Sequence, residues 1–251
     1  LDKYAKKNSF LHNLDPRTKL ISFFIFILLI ILTPVNKDIH FLIFFALAMV
    51  LIFLSRVPIS YYLKSVFTIL PFIFLITIFI PFYKEGKVAG SYNLGFSRIL
   101  ITSSGLIVLK NVLIKSFLSI LVFSIISATT EFHYLLKALE KLKLPKVFIL
   151  ILSFMYRYIF ILFDEKLRIE RAISSKYFGK KPILLYKTIG NVIGTLFIRN
   201  YERAERVYIA MCSKLFDGNI KTLTNLKFRV YDIYFLILFS FLLVCIKLFI
   251  K

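Results

Sequence analysis

The sequence predicts an all-α fold: a polytopic integral membrane protein with about five transmembrane helices and a cytoplasmic arm of amphipathic helices. Three observations carry this. First, 59% of the 251 residues are hydrophobic and 17% are aromatic, well above the roughly 45–50% apolar content of soluble domains. Second, the apolar residues gather in several runs close to the ~20 residues that cross a bilayer. Third, 34 Lys+Arg stand against 13 Asp+Glu, for a net charge of +21. Most of those cations fall between the apolar runs, where the cytoplasmic flanks of membrane helices need them. A soluble globular enzyme is thereby excluded as the default, as are a disordered or collagen-like chain. On a soluble protein this charge would suggest nucleic acid; here it reads as membrane topology, and no nucleic-acid partner is expected.

The first apolar run covers 20–32, or about 18–35 with its flanks, and ends at Thr33-Pro34. It is short for a span. The second, 39–54, stops before Ser55-Arg56-Val57-Pro58 and forms a tight helical hairpin with the first. The third covers 66–82; Pro71 inside it predicts a kink. Residues 83–98 are polar, carry Gly86, Gly90 and Gly95, and read as a loop. The fourth run, 99–128, is interrupted by Lys110 and Lys115. Its 30 residues exceed one upright span. Either it tilts or its first third lies along the interface. The two lysines have no acidic mate in the same span; they snorkel or face a protein partner, and no proton relay is expected. The last span is 232–250, with Lys251 as end anchor. Because the first run is followed by several more, it reads as a membrane segment rather than a cleaved signal peptide.

Lys and Arg counts orient the chain. Residues 1–19 hold five, 55–64 two and 129–146 four, against one in 33–38 and three in 81–98. The amino end is therefore placed in the cytoplasm of a multi-pass protein of the cell inner (plasma) membrane. Residues 147–163 are apolar enough to cross, and 184–198 would then have to cross back with Lys187, Gly190 and Gly194 inside. The preferred solution keeps all of 129–229 cytoplasmic, since 164–229 holds 14 Lys+Arg and six acids. It gives five spans and an external carboxyl end. It also requires the apolar faces of 147–163 and 184–198 to be buried against the membrane base or each other. The domains so defined are 1–128 (four membrane helices), 129–229 (cytoplasmic region) and 230–251 (last membrane helix).

Within the cytoplasmic region, 140–145 reads as a break between helices. Residues 164–178 and 202–216 read as amphipathic helices with apolar stripes at i, i+3, i+4 spacing. Gly179 and Gly218 suit their ends. Asp164–Arg168 and Glu202–Arg206 are opposite-charge pairs one turn apart, worth about 0.2–0.5 kcal/mol each. The two helices share a tail: Ser175-Lys176-Tyr177-Phe178 in one and Ser213-Lys214-Leu215-Phe216 in the other, with the lysines 38 residues apart. Two readings stand: interfacial helices with snorkelling lysines, or knobs that fill grooves on another protein. Arg157 would be costly in lipid; at the cytoplasmic base it pairs with Asp164 or Glu165 in a structural role.

No phosphate-cradling glycine loop, zinc-protease motif or hydrolase elbow occurs. Cys212 and Cys245 have no ligand spacing, and the three histidines are scattered. No catalytic, cofactor-binding or metal site is expected, and the chain is not expected to be an enzyme. Two other classes remain as alternatives. A self-sufficient secondary transporter would need polar or broken midplane spans. An integral membrane enzyme acting on lipids would need clustered acids or histidines.

The motifs also resemble a family, the transmembrane T component of energy-coupling factor transporters, or CbiQ/EcfT family. Residues 9–20, with Asp15-Pro16-Arg17, are similar to its opening segment. Ala128-Thr129-Thr130, followed by Leu135, Ala138, Leu139 and Leu144-Pro145, is similar to its central segment. Arg157-Tyr158 matches an Arg-Tyr pair. Glu202-Arg203-Ala204-Glu205-Arg206-Val207 resembles the lead into its second coupling motif. The resemblance covers nearly the whole chain. It implies partners: two cytoplasmic ATPase subunits, which hold ATP and Mg, and one small membrane protein that captures a vitamin or cobalt/nickel. It makes the two amphipathic helices coupling helices, whose motifs fall on Ser175, Lys176, Tyr177 and Ser213, Lys214, Leu215. Arg171, Arg203 and Arg206 are supporting charges, and Asp15, Pro16, Arg17 and Arg157 are structural. The family's usual Ala-Arg-Gly is replaced at every position in both copies. Lys keeps the charge but loses the planar fork of Arg.

Overall fold

A computed structural model describes residues 4–5, 7, 9–34, 38–83, 88–93, 98–176, 182–218 and 228–249. The chain divides into two compact units: 1–138 with 226–251, and 139–225. The first unit contains α1 (Phe10–Asn13), α2 (Pro16–Leu32), α3 (Asp38–Ser55), α4 (Ile59–Thr77), α5 (Ile80–Tyr83), β1 (Val88–Asn93), β2 (Arg98–Thr102), α6 (Ser103–Thr129), most of α7 (Phe132–Lys141) and α10 (Val230–Phe249). The second contains the end of α7, then α8 (Lys146–Lys176) and α9 (Pro182–Ser213).

In the first unit, α6 packs against α2, α3, α4 and α5, while α10 packs on α2 and α3. Phenylalanines fill the joint of α2, α3 and α10: Phe26 meets Phe44 at 5.7 Å and Phe239 at 5.8 Å between ring centroids. Gly105 lets α6 approach α5, because a Cβ there would sit 2.6 Å from the Pro81 Cα.

Helix ends are tied by charge. Pro16 opens α2, and the Asp15 side chain accepts from the Arg17 N–H at 2.9 Å. The Asp15 N–H donates to Asp232 at the start of α10, whose other oxygen accepts from the Arg229 N–H. The ammonium of Lys19 is buried and donates to the carbonyls of His12 and Thr129 and the hydroxyl of Thr130. Asp15 and Asp232 supply its compensating charge, without which a buried cation would be prohibitive. His12 holds the segment before α2: its Nε2–H donates to the Tyr4 carbonyl at 3.1 Å, and its Nδ1 accepts from Ser9 at 2.7 Å. Burial pushes its pKa down. The start of α2, the end of α6 and the start of α10 therefore share one face of the unit. At the opposite end, Lys115 donates to the carbonyls of Ile31 and Thr33, a cation at the negative end of α2. Lys110 pairs with Asp38 at 2.8 Å.

Several expectations change. Lys110 and Lys115 do find partners, across elements rather than within their own helix. The polar segment 83–98 is not all loop: β1 and β2 form an antiparallel pair that takes residues 99–102 from the fourth apolar run. Ile99, Leu100 and Ile101 suit a strand as well as a span. The third span begins at Ile59, not 66, and Pro71 stays inside α4. Residues 147–163 and 164–176 are one 31-residue helix, α8, and α9 likewise joins 184–198 to 202–213. Among the described residues, five helices are long and apolar enough to cross a membrane: α3, α4, α6, α8 and α10. α2, the first expected span, has 17 residues. Phe148, Ile151 and Phe163 of α8 and Ile193 and Phe197 of α9 are exposed, so these side chains are not buried against each other.

Candidate functional site

The second unit is built around two long helices. α7 ends in a Schellman turn: Lys143 takes a left-handed φ of 64°, and the Leu144 N–H reaches back to the Leu139 carbonyl. Pro145 then precedes α8, where a missing N–H costs nothing. α8 and α9 are joined by the carboxylate of Glu165, which accepts from Arg199 at 3.1 Å and from Arg203 at 3.4 Å. The Glu165 side chain is 16% exposed, so the pair is less screened than an open surface bridge. Beyond this joint, toward the end of α8 and the start of α9, the helices leave a cavity of about 700 Å³. Ile169, Ile173, Val192 and Thr195 line it together with Glu165 and Arg199.

The far ends carry the shared tail. At α8, the hydroxyls of Ser174 and Ser175 donate to the Arg171 carbonyl. Lys176 is the last helical residue, and Tyr177 lies outside the described residues. At α9, the Ser213 hydroxyl donates to the Ile209 carbonyl at 2.9 Å. The helix then closes in a second Schellman turn. The Leu215 N–H reaches Cys212, and the Phe216 N–H reaches Met211 at 3.1 Å. Leu215 occupies the left-handed position with φ 54°, which normally belongs to glycine. Its side chain is 91% exposed, and Lys214 beside it is exposed too.

The supporting charges divide. Arg171 is exposed on the last turns of α8. Arg203 is engaged internally with Glu165, and Arg206 pairs with Glu202 at 3.8 Å. Asp15, Pro16 and Arg17 sit together at the start of α2, in the first unit. Arg157 is exposed and forms an ion pair with neither expected mate, Asp164 or Glu165; Glu165 is held by the two arginines of α9. In place of Asp164–Arg168, Lys166 meets Glu170 at 3.9 Å. Sequence reasoning missed Glu165 as a joint between helices. A signal existed: Glu165 and Arg203 are 38 residues apart, the same spacing as the two lysines. It also missed Lys19 and Asp232, whose partners lie far away in the chain. Among the described residues, no three His, Cys, Asp or Glu side chains gather to hold a metal, and Cys212 and Cys245 are free thiols.

Several apolar helices of spanning length, in a chain that also carries a unit of two long, charge-tied helices, define a multi-pass helical membrane protein. Residues 7–225 match the model of the CbiQ family, described as cobalt transport protein. The chain is 31% identical over 229 residues to the energy-coupling factor transporter transmembrane protein EcfT of Streptococcus equi subsp. equi, covering 87% of this chain and 83% of the relative. It is 29% identical over 232 residues to the protein of the same name from Bacillus subtilis, with 87% and 84% covered. An uncharacterized protein of Methanocaldococcus jannaschii shares 31% identity over 246 residues, 96% of this chain and 83% of the relative. The chain belongs to the CbiQ/EcfT family of membrane transport proteins, as a transport subunit and not an enzyme.

Proposed function

We propose that this chain is the transmembrane scaffold and energy-coupling subunit of an ATP-driven importer of vitamins or of cobalt or nickel. Two cytoplasmic ATPase subunits dock on the ends of α8 and α9, and a small membrane subunit captures the substrate. ATP-driven closure of the ATPases moves the two helix ends. The arm passes that motion to the membrane helices, and the capture subunit reorients to release its cargo inward. The observation that carries this reading is the end of α9: Leu215, fully presented in a strained conformation beside the Lys214 cation. An exposed apolar knob flanked by positive charge suits a groove with acidic residues.

Chain parity supports a cytoplasmic arm. α6 ends and α10 begins at one face, so crossings between them come in even numbers. α8 has the length and composition to cross, but the return would fall to the short apolar stretch 184–198 of α9, which carries Lys187, Gly190 and Gly194. One crossing without a return is impossible. The bare apolar stripes of α8 and α9 are then surfaces for partner subunits or the bilayer interface. The cations of the amino end support a cytoplasmic position for this face at the plasma membrane.

The test is partner capture in mild detergent from the native organism. ATPases are expected to co-purify with the wild type and to be lost from Lys176→Glu plus Lys214→Glu. A folded wild-type chain that captures no ATPase overturns the function. Equal capture by the double variant removes the two lysines from the docking site.

A further inference from the structure

We propose that the α3–α4 turn holds a binding site for one anionic phospholipid. A cavity of about 660 Å³ opens there, lined by Lys7, Met49, Phe53, Arg56 and Ile59 over a floor that includes Ile52 and Val57. It has two cations and no carboxylate in its wall. Neither Lys7 nor Arg56 forms an ion pair among the described residues. Both side chains are exposed, and each is held in place. Lys7 lies 5.5 Å from the ring centroid of Tyr4, which packs on Tyr61 at 5.1 Å. Arg56 stands at φ 54°, a conformation that a long side chain adopts at a cost. The turn is locked around it: the Ser55 hydroxyl bonds Tyr62 at 2.8 Å and accepts from the Val57 N–H.

The arrangement matches a lipid rather than a free anion. The wall below the two cations is apolar and open, with Phe53 86% exposed and Ile59 58% exposed. It lies where two membrane helices meet their polar connection, the level of headgroups, with Tyr61 at hand as an interfacial aromatic. A phosphodiester would sit between Lys7 and Arg56 while its acyl chains run along Met49, Phe53 and Ile59. This site is independent of the ATPase docking proposed above.

The experiment is native mass spectrometry of the full chain in detergent, with phosphatidylglycerol and phosphatidylcholine added in equal amounts. The wild type is expected to retain one phosphatidylglycerol at least tenfold over phosphatidylcholine. Lys7→Gln plus Arg56→Gln should lose that preference, whereas Lys141→Gln plus Lys143→Gln, which removes two cations elsewhere, should keep it. Arg56→Gly separates binding from folding: glycine accepts the left-handed turn, so the variant should melt no lower than wild type yet retain less phosphatidylglycerol. Equal retention by wild type and the Lys7/Arg56 variant overturns the proposal, as does equal retention of the two lipids. Displacement of the lipid by millimolar inorganic phosphate would make this a free-anion site and overturn the lipid assignment.

Discussion

Leu215 is the residue at which local stability and the proposed docking part company. A non-glycine residue in the left-handed region costs roughly 1–2 kcal/mol, and here the side chain that incurs the cost packs on nothing in its own chain. Leu215→Gly should therefore raise the unfolding free energy by about 1 kcal/mol, measured by thermal or denaturant melting in detergent. If Leu215 is the docking knob, the same variant should capture ATPase less well; unchanged capture would leave the side chain without that role. The sequence pointed to this position as a departure from a small residue, but only the backbone shows why a small residue belongs there. Lys19 was less legible. It read as one of five cations at the amino end, because the Thr129 carbonyl that it meets is 110 residues away. Arg157 failed for the opposite reason: its expected partner was near in sequence but engaged by another helix.

Among the elements, α6 shows how close packing depends on one small residue. Gly105→Ala places a methyl group against the backbone of Pro81, which has no flexible end to yield. It should destabilise the first unit by about 1–3 kcal/mol, the usual range for overpacking. Gly194→Ala in α9 meets nothing within 4 Å and should gain up to about 1 kcal/mol of helix propensity. Opposite signs for the two glycines in melting experiments are the check. The apolar runs located α2, α3, α6 and α10 well, since a membrane segment is written in composition. They did not locate the continuity of α8 and α9. In each, an apolar stretch gives way to a charged one with no glycine or proline at the junction. A change of surroundings along one helix was read as a boundary between two. The strand pair was hidden for a related reason: Ile99, Leu100 and Ile101 are apolar whichever element they join.

For the molecule as a whole, the shared face of α2, α6 and α10 is the structural support for the topology proposed from charge counting. The proposed cytoplasmic arm gives a direct prediction. With Cys212 and Cys245 replaced by Ser, a Ser175→Cys chain should react with a membrane-impermeant maleimide in inside-out vesicles and stay unlabelled in right-side-out ones. The reverse pattern would mean that α8 crosses the bilayer. The joint at Glu165 adds a mechanical consequence. From Glu165, α8 continues 11 residues to Lys176, and from Arg203 the chain continues 11 residues to Lys214. At 1.5 Å per residue each arm is about 16 Å long. Five residues separate the end of α8 from the start of α9, which then runs past the joint, so its own tail emerges on the far side. These are two levers of matched length on either side of one fulcrum. If two ATPases dock on these ends as proposed, a stroke applied by one would arrive at the other with the same amplitude. Such a lever neither amplifies nor gears down its input, so under that proposal two ATPases that differ in sequence would still have to move in step.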